Sequence, residues 1–416
     1  MSELSRRAFL GSLAAAPVLG GAARRTRRYL LLDCRNVERT ENGAMRVCRA
    51  VKDARNPLFA EDKPWEARFD NLYPNVRRDP STGLYQCWYS PFTIDEAVHG
   101  TPRADRARIP YRPRNREMGI CYAESRDGMA WNKPELGLVE FEGSKKNNLT
   151  ARGPHGAGVY YDAHETDPER RFKAIFQDHG ISGAFSRDGK HWSDPVRFPG
   201  IDAVGDTHNN AIWAPSLGKY VGITRLWERP RKQRLVGRTD SPDFVDWTKA
   251  VEVLRADPRT PDSQTYSLPI FEYAGVYLGL VAMFHVPTDT VQTELAWSPD
   301  TVTWKRIDPG SPLIARGEAG SPDSGCVYAS VPVIEEKEIR IYYGGSNGPH
   351  TGWRDGFFCL ARLQPDRFAG FEPVAAAVPA TIVTRPIEAT SAELRINTAA
   401  RGGQVRVGVI GVAELS

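Results

Sequence analysis

The sequence predicts an all-β chain: a five-bladed β-propeller followed by a short C-terminal β extension that either packs on the propeller or begins a β-sandwich. Three observations predict it. First, a turn motif recurs, with an Asp followed four residues later by a Trp. Its copies are Ser125-Arg126-Asp127-Gly128-Met129-Ala130-Trp131, Ser186-Arg187-Asp188-Gly189-Lys190-His191-Trp192, Ser241-Pro242-Asp243-Phe244-Val245-Asp246-Trp247 and Ser298-Pro299-Asp300-Thr301-Val302-Thr303-Trp304. The Trp-to-Trp spacings are 61, 55 and 57 residues, a period that signals propellers or arrays when strand-like sequence lies between. Second, five β-rich runs recur, at 83–89, 171–176, 218–223, 275–281 and 338–343. Third, another strand candidate precedes each run, at 72–78, 157–162, 210–213, 267–273 and 327–334. Two strands before the turn, one leading into it and one after it make four per unit, and four-stranded units repeated radially are propeller blades.

In chain order, residues 1–23 read as an export signal. Ser5-Arg6-Arg7-Ala8-Phe9-Leu10-Gly11 is similar to the bacterial twin-arginine pattern, an apolar run follows to Leu19, and Gly21-Ala22-Ala23 are small residues suited to cleavage. The expected location is periplasmic or secreted, with no membrane anchor after cleavage. Residues 24–62 form an approach segment, in which Tyr29-Leu30-Leu31-Leu32 is apolar enough for one strand that closes the ring on the last blade. The propeller covers 63–375. Blade one is lengthened by an insertion at 91–117 that carries Arg103, Arg106, Arg108, Arg112, Arg114 and Arg116. Either it arches over a channel mouth or it is a solvated charge run. The fifth turn motif is worn, Pro365-Asp366-Arg367-Phe368-Ala369-Gly370-Phe371, with Phe371 near the Trp position. Residues 376–416 are the C-terminal extension, where 393–397 and 404–410 alternate at period two like a hairpin.

The turn motif itself reads as structural. Asp accepts nearby backbone N–H groups, Gly supplies positive φ, and Trp fills the space between blades. With 55 Lys and Arg against 51 Asp and Glu, the net charge of +4 gives no footing for nucleic acid or a membrane surface. Six Cys and eight His show no zinc-site spacing, so no metal or cofactor is implied. Cys87 and Cys121 fall inside strand candidates and are expected as buried thiols.

Chemistry is expected where the first strand of each blade begins, because those side chains face the axis. Four of five blades bring an Asp there: Asp70, Asp206, Asp262 and Asp323, while blade two has His155. Carboxylates converging on one channel raise each other's pKa. A protonated acid beside an ionised base is what glycoside cleavage needs. The catalytic candidates are therefore Asp70, Asp206 and Asp262. Candidates for substrate contact are Glu66, His155, His208, Asn209, Trp213, Glu318, Asp323 and His350, with Trp353 as a further stacking surface. The expected partner is a carbohydrate.

The Ser-x-Asp-Gly-x-x-Trp turns, with Asn56-Pro57-Leu58 and Pro64-Trp65-Glu66 before the first blade, resemble the five-bladed propeller glycoside hydrolases around families 32, 43 and 68. The resemblance covers most of 55–375. It implies a base or nucleophile at Asp70, a transition-state-stabilising carboxylate at Asp206 and an acid on the fourth blade. There Asp262 stands in place of that group's Glu, with Glu294 and Glu318 as fallbacks. His350 resembles a late His of family 43. The implied activity is an exported glycoside hydrolase, exo-acting on a plant or microbial glycan; the alternative is a non-catalytic carbohydrate-binding propeller.

Overall fold

The computed structural model describes residues 28–32, 35–229, 232–257, 260, 262–388, 393–400 and 402–410, so the expected export signal lies outside the described residues. The described chain is nearly all β. Its helical elements are the short helix Glu96–Gly100 and two 3-10 turns, Arg103–Asp105 and Pro168–Arg170.

Strands fall into five successive antiparallel groups. The first is Asn75–Arg78, Tyr85–Tyr89 and Arg116–Ser125, with Phe92–Asp95 and Leu149–Arg152 also paired to the long third strand. The second is His155–Tyr161, Phe172–Gln177, Ile181–Ser186 and Val196–Arg197. Asn210–Ala214, Lys219–Glu228, Gln233–Ser241 and Val251–Leu254 form the third. The fourth starts with Ser263–Ser267 and Ile270–Tyr273, then Val276–His285, Thr290–Ser298 and Lys305–Arg306. In the fifth, Cys326–Ala329 and Val333–Ile334 precede Ile339–Ser346 and Gly356–Leu363. Its outer edge is supplied by the N-terminal strands Val51–Lys52 and Phe59–Ala60. The fourth and fifth groups touch through one parallel pairing, Val291 with Cys326.

Apolar faces are buried between neighbouring groups. Trp88, Tyr122, Ala157, Phe172 and Phe176 fill the space between first and second. Ile212, Val221, Leu268, Tyr277 and Trp304 do so between third and fourth. Asparagines that open a first strand add polar clamps. Asn75 Nδ2 donates to Ala157 O (2.9 Å) while its Oδ1 accepts from Val159 N (3.0 Å). Asn210 repeats this on Leu268 O (3.0 Å) and Ile270 N (3.1 Å). Each clamp satisfies backbone groups that burial would otherwise strand.

The turn motif has the structural role its chemistry suggests. Asp127 Oδ1 accepts from Met129 N (2.8 Å) and Ala130 N (2.9 Å), and Ser125 Oγ accepts from Gly128 N (2.9 Å). Asp188, Asp243 and Asp300 each accept the same pair of backbone N–H groups. The preceding group then reads the turn. Tyr342 Oη donates to Gly128 O, Trp88 Nε1 to Gly189 O, Arg170 Nη2 to Asp243 O, and Arg238 Nε to Thr301 Oγ1. The first of these contacts joins the fifth group to the first. Gly128 (φ 73°) and Gly189 (φ 74°) are left-handed, and a Cβ there would strike Tyr342 Oη or the Trp88 indole. Phe244 (φ 68°) and Thr301 (φ 65°) take the same conformation without glycine. Phe244 is fully buried against Tyr220 and Trp247, which offsets the backbone cost.

Three expectations are corrected. Residues 29–32 form no strand, although Leu30 and Leu32 are buried; the segment that completes the fifth group lies at 51–60. The worn motif departs from the other turns: Asp366 (φ 65°) accepts from Tyr273 Oη (2.7 Å), and Phe371 pairs with Met45 in a separate two-stranded sheet. Residues 393–397 and 404–410 carry no strand, and Leu394, Val405, Val407 and Val409 are exposed; the C-terminal strand is Thr381–Thr384, paired with Val37–Glu41. Period-two alternation makes strands only when a partner edge is at hand.

If the close approach of Tyr342 dictates glycine, Gly128→Ala should cost about 3 kcal/mol, whereas Gly137→Ala, equally left-handed but facing open space, should cost about 1 kcal/mol. Denaturant midpoints of the two variants check this; equal shifts would remove the inter-group contact from the explanation.

Candidate functional site

Residues from all five groups of strands meet in one polar cluster. The chain reaches it through a bend in which two adjacent non-glycine residues, Leu72 (φ 61°) and Tyr73 (φ 43°), are left-handed. Such strain persists where surrounding contacts over-determine it, and it gathers at functional sites. Here the bend presents Asp70, Asn71 and Tyr73 together.

Asp70 accepts from Arg354 Nη2 (2.6 Å) and Arg68 Nε (3.3 Å). Burial pushes its carboxyl up, but Arg354 and Arg68, with His350 and Arg116 farther off, outweigh burial and hold it well below the usual carboxylate range. Asn71 bridges outward: Oδ1 accepts from Arg354 Nη2 (3.0 Å), and Nδ2 donates to Tyr73 Oη (2.6 Å) and Tyr266 Oη (3.1 Å). Across the cluster, Asp206 pairs with His155 Nε2 (2.8 Å) and Arg225 Nη2 (2.6 Å). Burial again opposes ionisation and is again outweighed, by His155 and Arg225, so this carboxyl too is held far down. Aromatic rings join the two carboxylates. Tyr73 lies 5.2 Å from His208, 6.5 Å from His155 and 6.4 Å from Tyr328, and Tyr266 lies 5.6 Å from Tyr328. All five groups of strands thus contribute.

Two histidines are held neutral. His208, bonded through Nε2 to Asn75 Oδ1 (3.1 Å), is pushed down to about 3 by burial. His350, with Nδ1 2.7 Å from Tyr328 Oη, is pushed down to about 3 by burial and by Arg354. The 91–117 insertion roofs one side. Tyr111 covers the Arg68 guanidinium (3.9 Å) and donates to Asp95 Oδ2 (2.6 Å). Arg103 pairs with Asp355, and Trp353 Nε1 donates to Ile109 O.

The expected residues divide. Asp70, Asp206, His155, His208 and His350 meet. Asp262 lines a pocket with His285, Thr288, Gln292 and Arg316 that shares no residue with this cluster. Asp323 is buried on Lys52 Nζ (2.5 Å) and Tyr343 Oη (2.8 Å), tying an edge strand to the fifth group. Glu66 is buried on Lys133 Nζ (2.7 Å) and Tyr89 Oη (2.6 Å). Glu294 holds Arg306 (2.7 Å). Glu318 is exposed on a turn. Asn209 spends its side chain on Gly156 O, Gly205 O and Thr207 O, and accepts from Thr224 Oγ1. Trp213 stacks on His164 (3.9 Å). The expected mutual elevation of carboxylate pKa is overturned as well: each acid is paired with its own arginine, so Asp70 and Asp206 are both depressed.

Reading the sequence missed Arg225, Arg234, Arg354, Tyr73, Tyr266 and Tyr328. Only Arg225 and Tyr328 carried a local signal, as polar side chains within largely apolar strand runs. It also missed Glu61, which accepts from Phe69 N (2.7 Å) and Gly356 N (3.2 Å) behind Asp70 and is pushed up to about 7 by burial. Cys87 and Cys121 are free and buried. Among the described residues, no group of three or more His, Cys, Asp or Glu is placed to hold a metal.

No protein-family model matches the chain, and neither does any curated protein. Solved structures do. One comes from work on the GH130 family of mannoside phosphorylases, described as containing glycoside hydrolases that target β-1,2-mannosidic linkages in Candida mannan (TM-score 0.50, 14% identity, 79% of this chain and 97% of that one). Another is a glycosyl hydrolase from Bacteroides ovatus (TM-score 0.50, 14% identity, 79% and 97%). At these identities the likeness is one of fold.

Histidines held neutral in the fold but protonated when unfolded lower stability as pH falls from 6.5 towards 3. Between pH 6.5 and about 4.5, His208 and His350 should each contribute on the order of 2 kcal/mol to that loss, while Glu61, protonated in the fold and ionised when unfolded, works against it. A His208→Gln/His350→Gln variant should therefore lose the decline and melt higher as pH falls across this window; an unchanged slope would place the pH sensitivity elsewhere.

Proposed function

We propose that the five groups of strands are the blades of a five-bladed β-propeller and that the chain is an exported glycoside hydrolase with its active site where the first strands converge. The observation that carries this reading is that Asp70 and Asp206, from different groups, both lie near Tyr73 and Tyr266, each held by its own arginine. A carboxylate kept ionised is suited to act as base or nucleophile, or to stabilise positive charge developing on a sugar ring. Asp70 takes the first role and Asp206 the second.

Neither carboxyl keeps a proton at neutral pH, so the proton for the leaving oxygen comes from elsewhere. His155, aligned by Asp206 at 2.8 Å, is the group placed for it, since a carboxylate fixes the orientation of the imidazole beside it. The roof made by residues 96–115 narrows one side and favours attack at a chain end. The similarity in fold to solved glycosyl hydrolases supports the substrate class. One observation favours a second reading, a carbohydrate-binding propeller without turnover: both carboxylates are already ion-paired.

Assays on aryl and alkyl glycosides separate these readings. Asp70→Asn and Asp206→Asn should each lower kcat by about 100-fold or more. His155→Asn should cripple alkyl glycosides, whose leaving group needs a proton, far more than nitrophenyl glycosides. Full activity in the two Asp variants would reject the assignment, and sugar binding with no turnover by the unaltered protein would favour the binding module. A reporter carrying residues 1–40 should reach the periplasm only while Arg6 and Arg7 are intact; cytosolic retention would remove the export proposal.

A further inference from the structure

The charges around the centre do not balance. Arg68, Arg116, Arg225, Arg234 and Arg354 outnumber the carboxylates Asp70, Asp206 and Asp95 among them. The surplus is concentrated on one hairpin of the third group, Lys219–Glu228 with Gln233–Ser241. Trp227 lies opposite Arg234 in its register, and Arg225, two residues before Trp227, shares that face. Both guanidinium groups lie against Tyr266, at 5.2 and 5.3 Å, and against Trp227, at 5.8 and 5.0 Å.

Their hydrogen bonding is incomplete. Arg225 is 4 % exposed and gives Nη2 to Asp206, while its Nε and Nη1 have no acceptor. Arg234 gives Nη1 to the neutral Gln264 Oε1 (2.7 Å), its Nε has no acceptor, and no described carboxylate lies within ion-pair distance of it. A buried cation without a counter-charge is costly, and ring faces compensate only in part. A guanidinium fork is shaped to hold a planar oxyanion through two parallel N–H donors. Asp206, half exposed beside Arg225, marks the open side of the pair.

Resting on the hydrolase reading, we infer that the sugar recognised here carries an oxyanion, a uronic acid carboxylate, bound by Arg225 and Arg234 beside Tyr266. The charged substituent supplies the acceptors that these arginines lack. A neutral sugar would leave them as they stand and gain nothing from them.

Calorimetric titration of the full chain with glucuronate, galacturonate, glucose, galactose, glucose 6-sulfate and inorganic phosphate tests this. A uronate should bind at least ten-fold more tightly than its neutral parent. Arg234→Gln should abolish that preference without weakening the neutral sugar, and Arg234→Lys should restore part of it; equal melting temperatures would exclude a folding defect. The inference is overturned if neutral sugars bind as tightly as uronates, or if the sulfated sugar or free phosphate binds more tightly than either uronate. The two readings fail separately. Cleavage of neutral aryl glycosides with no preference for uronides removes the anion site and keeps the hydrolase; uronate binding without cleavage of any aryl glycoside or uronide does the reverse.

Discussion

A fully buried guanidinium must be neutralised where it stands, because taking it from water costs several kcal/mol that only a well-placed partner returns. Arg354, with its side chain 0% exposed, meets that demand through Asp70 and Asn71. Residue 70 belongs to the start of the chain's strand pattern and residue 354 to its end, so one ion pair ties the first group of strands to the last. Around that pair lie the left-handed bend at Leu72 and Tyr73, the Asn71 bridge to Tyr266 and His350, kept neutral by burial and by Arg354. Breaking it from either side would leave an uncompensated charge in the middle of the molecule.

Two kinds of contact hold neighbouring groups together. In the polar cluster, side chains meet directly, through Asn71, Tyr73 and Tyr266. Elsewhere, the Ser-x-Asp turns present a backbone carbonyl or hydroxyl that the previous group grips, as Tyr342 grips Gly128 and Trp88 grips Gly189. The turn contacts repeat because they serve geometry alone. Contacts in the cluster differ from group to group, as they must where polar chemistry is to be concentrated. The fold shared with solved glycosyl hydrolases at 14% identity fits this division, since framework survives change that a site does not.

Repetition is also why the all-β character and its successive groups of strands were readable. The Asp127, Asp188, Asp243 and Asp300 turns announce themselves because each needs the same acceptor for the same pair of N–H groups, and strand runs sit at fixed distances from them. The site was half readable. Asp70, Asp206 and His155 sit where a first strand begins, which a register argument locates. Asp262 and Asp323 occupy equivalent positions in the sequence, but their side chains turn to a separate pocket and to Lys52. Position along a strand fixes the Cα, not the direction of a side chain on an irregular lead-in. The arginines escaped notice because Arg225 and Arg354 are distant in sequence from the acids they neutralise, and nothing local marks a cation that will be buried. The depressed acidity of Asp70 and Asp206 follows from the same omission.

Edge strands Val51–Lys52 and Phe59–Ala60 complete a sheet whose other members lie at the far end of the chain. During synthesis these early residues wait for about 300 more to be added before their partner exists, roughly 15–60 s at ribosomal rates of ~5–20 residues per second. For that interval the nascent chain carries unpaired backbone that any other strand edge can capture. Vectorial synthesis therefore cannot finish this architecture piece by piece. Only the emergence of Gly356–Leu363 releases these early strands from waiting.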